Sequence, residues 1–257
     1  MRLTVIAMVG LFMSIMVHAE LKTETVQYKD GDTVLEGYIA YDAKLAAKRP
    51  GIVMIPDWLG IRDLAKKRAD DLAKLGYTVL LADIYGKDIR PKDANEASAL
   101  VSKYKADRAL MRRRTEAALK ELLKHKTVNG DKVAAIGYCF GGTAALEMGR
   151  NGDKLKGIVT FHGGLDTPNP ADGKNIKGRV LVLHGADDPY VPPAQVAAFE
   201  KEMNDGKVDW ELVKYSGAVH AFTIRDAGND SSRGAAYNEK ADKRSWQAMK
   251  QFLKEIF

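Results

Sequence analysis

Apolar and polar residues alternate in two short stretches near the start of the chain, 23–28 and 33–41, on either side of Asp30-Gly31. Alternation at period two gives a strand one inward and one outward face, and Asp-Gly favours a tight turn, so the pattern predicts a β-hairpin. From Pro50 onward the pattern changes. Residues 51–55, 77–81, 132–136, 157–161 and 179–183 are short apolar runs rich in β-branched and aliphatic side chains, and 208–215 adds one more. Such runs read as strands buried on both faces. Between them, 64–75, 95–124, 142–149 and 193–203 have helical composition or spacing. Trp246, Met249, Phe252, Leu253 and Ile256 fall on one face of a last helix. Strands alternating with helices predict the α/β class: a mainly parallel sheet flanked by helices, preceded by the hairpin.

Length and composition fit this picture. The 257 residues are 46% hydrophobic and 29% charged, ordinary proportions for a globular chain and too apolar for a disordered one. No repeat, linker or low-complexity tract marks a second domain, so residues 20–257 are read as one. The first 19 residues have another character. Arg2 precedes an apolar run from Leu3 to Val17, and Val17-His18-Ala19 offers small residues for cleavage. This is the layout of a secretory signal peptide, too short for an ordinary membrane span. The expectation is an exported protein, periplasmic or secreted, that begins at Glu20 and has no membrane segment once processed.

The net charge of +6 raises the question of a nucleic-acid partner. No helix-turn-helix, zinc-finger or RNA-binding signature accompanies it. The densest basic run, Arg112-Arg113-Arg114, fans over about 200° of a predicted helix and cannot form one phosphate-tracking stripe. It reads as a solvated helix face.

Cys139 is the only cysteine. No intramolecular disulfide is available, so the core must hold the fold, and a Cys-x-x-Cys redox pair is absent. The thiol sits in Gly137-Tyr138-Cys139-Phe140-Gly141-Gly142, between a predicted strand and a predicted helix. That context identifies a nucleophile elbow with cysteine in the place usually held by serine, in which a sharp turn lifts the nucleophile clear of the backbone. An elbow predicts an acid and then a base, each on a loop after a later strand. Asp187 and Asp188 follow run 179–183, and His220 follows run 208–215. A thiol with a reference pKa of about 8.5 needs a base or a helix N-terminus to raise its thiolate fraction near neutrality. His220 supplies the base, the helix after the elbow supplies the dipole, and an aspartate fixes the imidazole tautomer.

Over residues 23–257 the chain resembles the dienelactone hydrolase family of α/β-hydrolases. Gly-Tyr-Cys-Phe-Gly-Gly is similar to that family's nucleophile motif, Asp188-Pro-Tyr-Val-Pro to its D-x-x-V-P acid motif, and His220-Ala-Phe to its base motif. The resemblance selects Asp188 over Asp187 and implies a Cys139–His220–Asp188 triad that cleaves ester or lactone bonds through a thioester, with no cofactor. Position places the oxyanion hole at the backbone N–H groups of Phe140 and Trp58. Where the family has a glutamate that engages the resting thiol, this chain has Asp57, about 1.5 Å shorter. Two roles are open to it: partner of Cys139, or support for the Trp58 loop. The arginines with which characterised members hold a substrate carboxylate find no clear counterpart. Arg90, Lys103 and Lys105 are out of register, and Arg225 follows His220 by one residue more than expected.

Around this constellation, loops 84–94 and 225–236 are expected to rim the pocket, which brings in Tyr85 and Arg225 as candidate substrate contacts. His162, at the end of a strand, is a third. His162 and His184 end successive strands, but no third ligand is spaced with them and no metal site is expected. The connection 162–178 is too short for a large helical cap. The partner implied is a small ester or lactone. A thioesterase or an amide or peptide hydrolase would use the same triad, and a non-catalytic binding protein can share the fold.

Overall fold

The computed structural model describes residues 19–257; the expected signal segment lies outside the described residues apart from Ala19. The hairpin forms from β1 (Leu21–Asp30) and β2 (Thr33–Asp42), paired antiparallel with Asp30 opposite Thr33. The two residues between them are Gly31 and Asp32, so the turn sits one residue later than the Asp-Gly dipeptide suggests. Gly31 takes φ +58°, a conformation that costs glycine little.

The apolar runs become β3 (Arg49–Ile55), β4 (Thr78–Leu81), β5 (Val128–Tyr138), β6 (Gly157–Phe161), β7 (Arg179–Gly185) and β8 (Trp210–Tyr215). They assemble one eight-stranded sheet in the order β1-β2-β4-β3-β5-β6-β7-β8. β2 meets β4 antiparallel, and every pair from β4 to β8 is parallel. Period two along β5 splits its side chains between two cores. Val133 and Ala135 point to one, where α2 (Ala94–Ala106), α3 (Arg108–Lys124), α4 (Phe140–Asn151) and α5 (Pro193–Asp205) pack. Ala134, Ile136 and Tyr138 point to the other, under α1 (Asp63–Lys74) and α6 (Glu239–Ile256). Helices on both faces explain why these strands carry no polar alternation. Between β6 and β7 stands only the 3₁₀ turn Pro170–Asn175, so no helical cap covers the carboxyl ends of the strands. Among the described residues, no helix is long and apolar enough to cross a membrane.

Two expectations are corrected. The stretch 95–124 is two helices. Asp107, at φ −118° and ψ 83°, ends α2 and caps α3 by accepting from the Leu110 N–H at 2.8 Å. A short acceptor side chain offers the backbone this alternative in mid-pattern, which helical periodicity alone does not register. The arginine run is not a solvated face either. Only Arg113 is exposed; Arg114 is buried and donates to Thr33 Oγ1 at 2.9 Å, while Arg112 bonds Glu147 and Asp172 at 2.8 and 2.7 Å. The same fan that forbids a phosphate stripe turns two of three guanidinium groups inward, where carboxylates meet them.

Candidate active site

β5 ends at Tyr138 and α4 begins at Phe140, so Cys139 alone makes the turn, at φ 54° and ψ −120°. This is a strained backbone for a residue with a Cβ. The surrounding glycines make it possible. A Cβ at Gly137 would stand 1.9 Å from the Gly141 carbonyl oxygen, and one at Gly141 would stand 2.2 Å from that of Ile55. The helix therefore starts almost in contact with strands β5 and β3. The Cys139 N–H donates to Phe161 O at 3.0 Å, tying the elbow to β6. The thiol is half-buried and sits at the N-terminus of α4, where the helix dipole favours negative charge.

The loops after β7 and β8 bring the other two groups to it. His220 Nε2 lies 3.1 Å from Cys139 Sγ, and His220 Nδ1 lies 2.8 Å from Asp188 Oδ2. Asp188 has a fully buried side chain and also accepts from the Tyr190 N–H at 2.8 Å, whereas Asp187 is exposed. A buried carboxylate facing one imidazole nitrogen favours the Nδ1–H tautomer and leaves Nε2 aimed at sulfur. Burial pulls the His220 pKa down, but the negative charge on Cys139 and the hydrogen bonds to Asp188 and Cys139 outweigh it and push the value up to about 10. The imidazolium is thus the favoured form between these two acidic groups.

The loop after β3 approaches from the other side. Phe140, first residue of its helix, has an N–H without an intrahelical acceptor, and among the described residues the Trp58 N–H has no hydrogen-bond acceptor. Asp57 does not reach Cys139. Its carboxylate accepts from the Leu59 N–H at 2.8 Å and from Arg62 Nη2 at 2.7 Å, so of its two open roles it holds the one that shapes the Trp58 loop. Tyr85 supports the same loop. Its hydroxyl donates to Trp58 O at 2.9 Å and its ring stacks on Phe140 at 5.9 Å, and both line a small cavity with Asp57 and Gly60.

The two remaining candidates are placed differently. His162 is buried, at φ 40°, with Nε2 2.7 Å from Thr223 Oγ1 and its ring edge-on to His220 at 5.3 Å. Arg225 is exposed, its guanidinium 5.6 Å from the centroid of the Tyr237 ring, and makes no contact with Cys139 or His220. Tyr190, which sequence reasoning did not single out, is 59% exposed with its ring edge-on to His220 at 5.3 Å. Its position inside Asp188-Pro-Tyr-Val-Pro was the available signal. Among the described residues, no three His, Cys, Asp or Glu side chains cluster to hold a metal.

A thiol on a strand–helix elbow beside a buried carboxylate–imidazole pair is the kind of constellation used in acyl transfer. Known proteins agree in fold and family. The family model for the dienelactone hydrolase family matches residues 35–257. A dienelactone hydrolase-like promiscuous phosphotriesterase from metagenomic libraries is 43% identical, superimposes with a TM-score of 0.88, and covers 92% of this chain and 99% of its own. The solved protein m3DLH is 40% identical with a TM-score of 0.89 over the same shares. A Bradyrhizobium protein described as a probable 2-oxo-3-(5-oxofuran-2-ylidene)propanoate lactonase is 29% identical over 233 residues, 85% of this chain and 94% of its own. The chain belongs to the dienelactone hydrolase family.

Proposed function

We propose that the chain hydrolyses ester or lactone bonds of small substrates through a thioester on Cys139. The observation that carries this reading is the continuous line from Asp188 through His220 to the Cys139 sulfur, at 2.8 and 3.1 Å. The Cys139 thiolate attacks the acyl carbon. A carbon–sulfur bond forms as the carbonyl electron pair moves to oxygen, which accepts hydrogen bonds from the Phe140 and Trp58 N–H groups. Collapse expels the alkoxide, which takes the Nε2 proton of His220; in a lactone it stays tethered to the acyl group. Water then attacks the thioester while His220 takes its proton, and thiolate leaves as the acid is released. Asp188 stabilises the imidazolium in both halves. The chemistry calls on no cofactor. An amide is a poorer substrate for this arrangement, because the tetrahedral intermediate expels thiolate more readily than an unprotonated amine.

The test is turnover of a panel of small lactones and esters by the protein beginning at Glu20, with Cys139→Ala as control. The reading requires turnover that the alanine variant loses while its circular dichroism and melting temperature stay unchanged, and brief iodoacetamide treatment must block it at one site. Turnover retained in Cys139→Ala overturns the thioester route. Phosphotriesters belong in the panel, since the 43% identical relative is a promiscuous phosphotriesterase. We also propose that the protein is exported and processed after Ala19. Mass spectrometry of the secreted or periplasmic form should find Glu20 at the N-terminus, and an intact Met1 in a membrane fraction would refute it.

A further inference from the structure

His162 is a buried titratable group that this reaction does not use. Its side chain is fully enclosed and its backbone is held at φ 40°, a left-handed conformation rare for a residue with a Cβ. The enclosing structure enforces that turn: the His162 N–H donates to Leu183 O at 2.8 Å, which fixes the end of β6 against β7. The ring meets Tyr138 of β5 at 6.3 Å, and its three nearer contacts are with the loop that carries the base. Nε2 is 2.7 Å from Thr223 Oγ1, three residues after His220. The ring stands edge-on to His220 at 5.3 Å and to Phe222 at 5.0 Å. His220 also meets the Tyr190 ring at 5.3 Å, so its imidazole contacts two rings, one buried and one exposed.

We propose that His162 is a positioning residue for His220, acting through Thr223 and through its ring edge to hold the base imidazole in line with Asp188 and Cys139. The proposal rests on the hydrolase reading above. The loop needs such a hold: Ala221, directly after His220, has φ 57°, so the backbone beside the base is itself strained. The charged and titratable groups around His162 are His220, Tyr138 on β5 and Arg68 on α1, whose guanidinium pairs with Asp242 of α6 at 2.5 Å. Burial, and then the positive charges of His220 and Arg68, keep the His162 pKa well below the ordinary value. His162 therefore stays neutral while His220 carries the proton, and the two imidazoles do not exchange roles. Among the described residues, the side-chain polar contact of this buried ring is the one to Thr223 in the His220 loop.

The experiment compares His162→Phe, His162→Gln and Thr223→Val with the unaltered protein. Phenylalanine keeps a ring edge but loses the bond to Thr223; glutamine can restore a polar contact to Thr223. Three quantities are read: kcat and KM for an ester the protein turns over, the rate at which iodoacetamide alkylates Cys139, and the melting temperature. Misplacing a base by a fraction of an ångström lowers kcat by about tenfold or more. The expected result is that fall for His162→Phe and Thr223→Val, with KM within about twofold, slower alkylation of Cys139, and recovery of at least half the logarithmic loss in His162→Gln. An unchanged kcat in both Phe and Val variants overturns the proposal, as does a glutamine variant no better than phenylalanine. If Phe fails to fold, Thr223→Val decides. The underlying reading is tested separately. Turnover surviving in Cys139→Ala removes that reading, whereas the alkylation rates report on the His220–Cys139 geometry whatever the substrate.

Discussion

Among the described residues Arg150 is the largest side chain with no exposure, and its removal tests what holds the elbow helix down. Its guanidinium forms a fork with Glu202, Nε to Oε1 at 2.8 Å and Nη2 to Oε2 at 2.7 Å. Nη1 donates to Glu147 at 3.0 Å and to Asp166 O at 3.3 Å, and Nη2 also donates to Leu165 O at 3.0 Å. α4 is thereby tied to α5 and to the chain just after His162-Gly163-Gly164. Arg150→Met keeps much of the volume but strands the Glu202 carboxylate, which has no other partner among the described residues and is 2% exposed. Glu147 fares better because Arg112 still holds it at 2.8 Å. Breaking a buried pair from one side costs about 3–5 kcal/mol, dominated by the uncompensated charge. For a chain of this size each kcal/mol moves the melting temperature by about 2–4 °C, so the expected fall is about 6–20 °C. The reasoning makes a second demand: adding Glu202→Gln to Arg150→Met should recover about half the loss or more, because it removes the stranded charge. Urea denaturation and calorimetry on the two variants decide it. A loss under about 1 kcal/mol in Arg150→Met, or no recovery in the double variant, refutes the account of Arg150 as the counter-charge of Glu202.

Gly137→Ala should prevent folding or lower stability by more than about 4 kcal/mol, since its Cβ would lie 1.9 Å from a backbone oxygen; soluble yield and melting temperature check it. Tyr85→Phe removes the 2.9 Å bond to Trp58 O and should lower kcat by about three- to tenfold with a near-constant melting temperature, as steady-state kinetics will show. His220, raised to about 10, should hold its proton until the pH approaches that value, and in Cys139→Ala its NMR titration should move down because two of the raising contributions are gone. The sign for stability follows: the contribution of this raised histidine is full below its unfolded pKa of about 6.5 and is lost as pH rises through about 10, so denaturation midpoints should decline over that window.

The architecture was legible because its causes are local. Runs such as 157–161 coincide with β6 end to end, since a strand buried on both faces needs apolar residues at every position. The elbow could be read for a related reason. Gly137 and Gly141 are forced by backbone contacts under 2.5 Å, and a requirement that strict leaves a fixed spelling in the sequence. What escaped depends on partners far along the chain. Arg112 and Arg114 read as solvent-facing until Glu147, Asp172 and Asp30 come to meet them from other elements. The break at Asp107 escaped because a capping carboxylate and a helix-surface carboxylate look alike in a periodic pattern. Asp57 could be assigned either to the thiol or to its loop from position alone; Arg62 and the Leu59 amide take both its oxygens, and those are contacts that spacing does not encode.

Strain in this chain is not spread evenly. Among the described residues, four without the freedom of glycine have positive φ: Cys139, His162, Lys207 and Ala221. Three of the four belong to one cluster: Cys139, the His162 ring beside His220, and Ala221 directly after His220. Each such conformation costs about 1–3 kcal/mol and persists only where the surroundings over-determine it. Those surroundings can be named: backbone bonds from Cys139 to Phe161 and from His162 to Leu183 are laid down by neighbouring parallel strands, and β6, β7 and the carboxyl half of β5 are buried. The rigid middle of the sheet thus absorbs the strain at its carboxyl edge, where sulfur and imidazole must face each other at 3.1 Å. A relaxed backbone at these positions would let each side chain turn back toward its own strand or helix, and the line from Asp188 to Cys139 would have no reason to close.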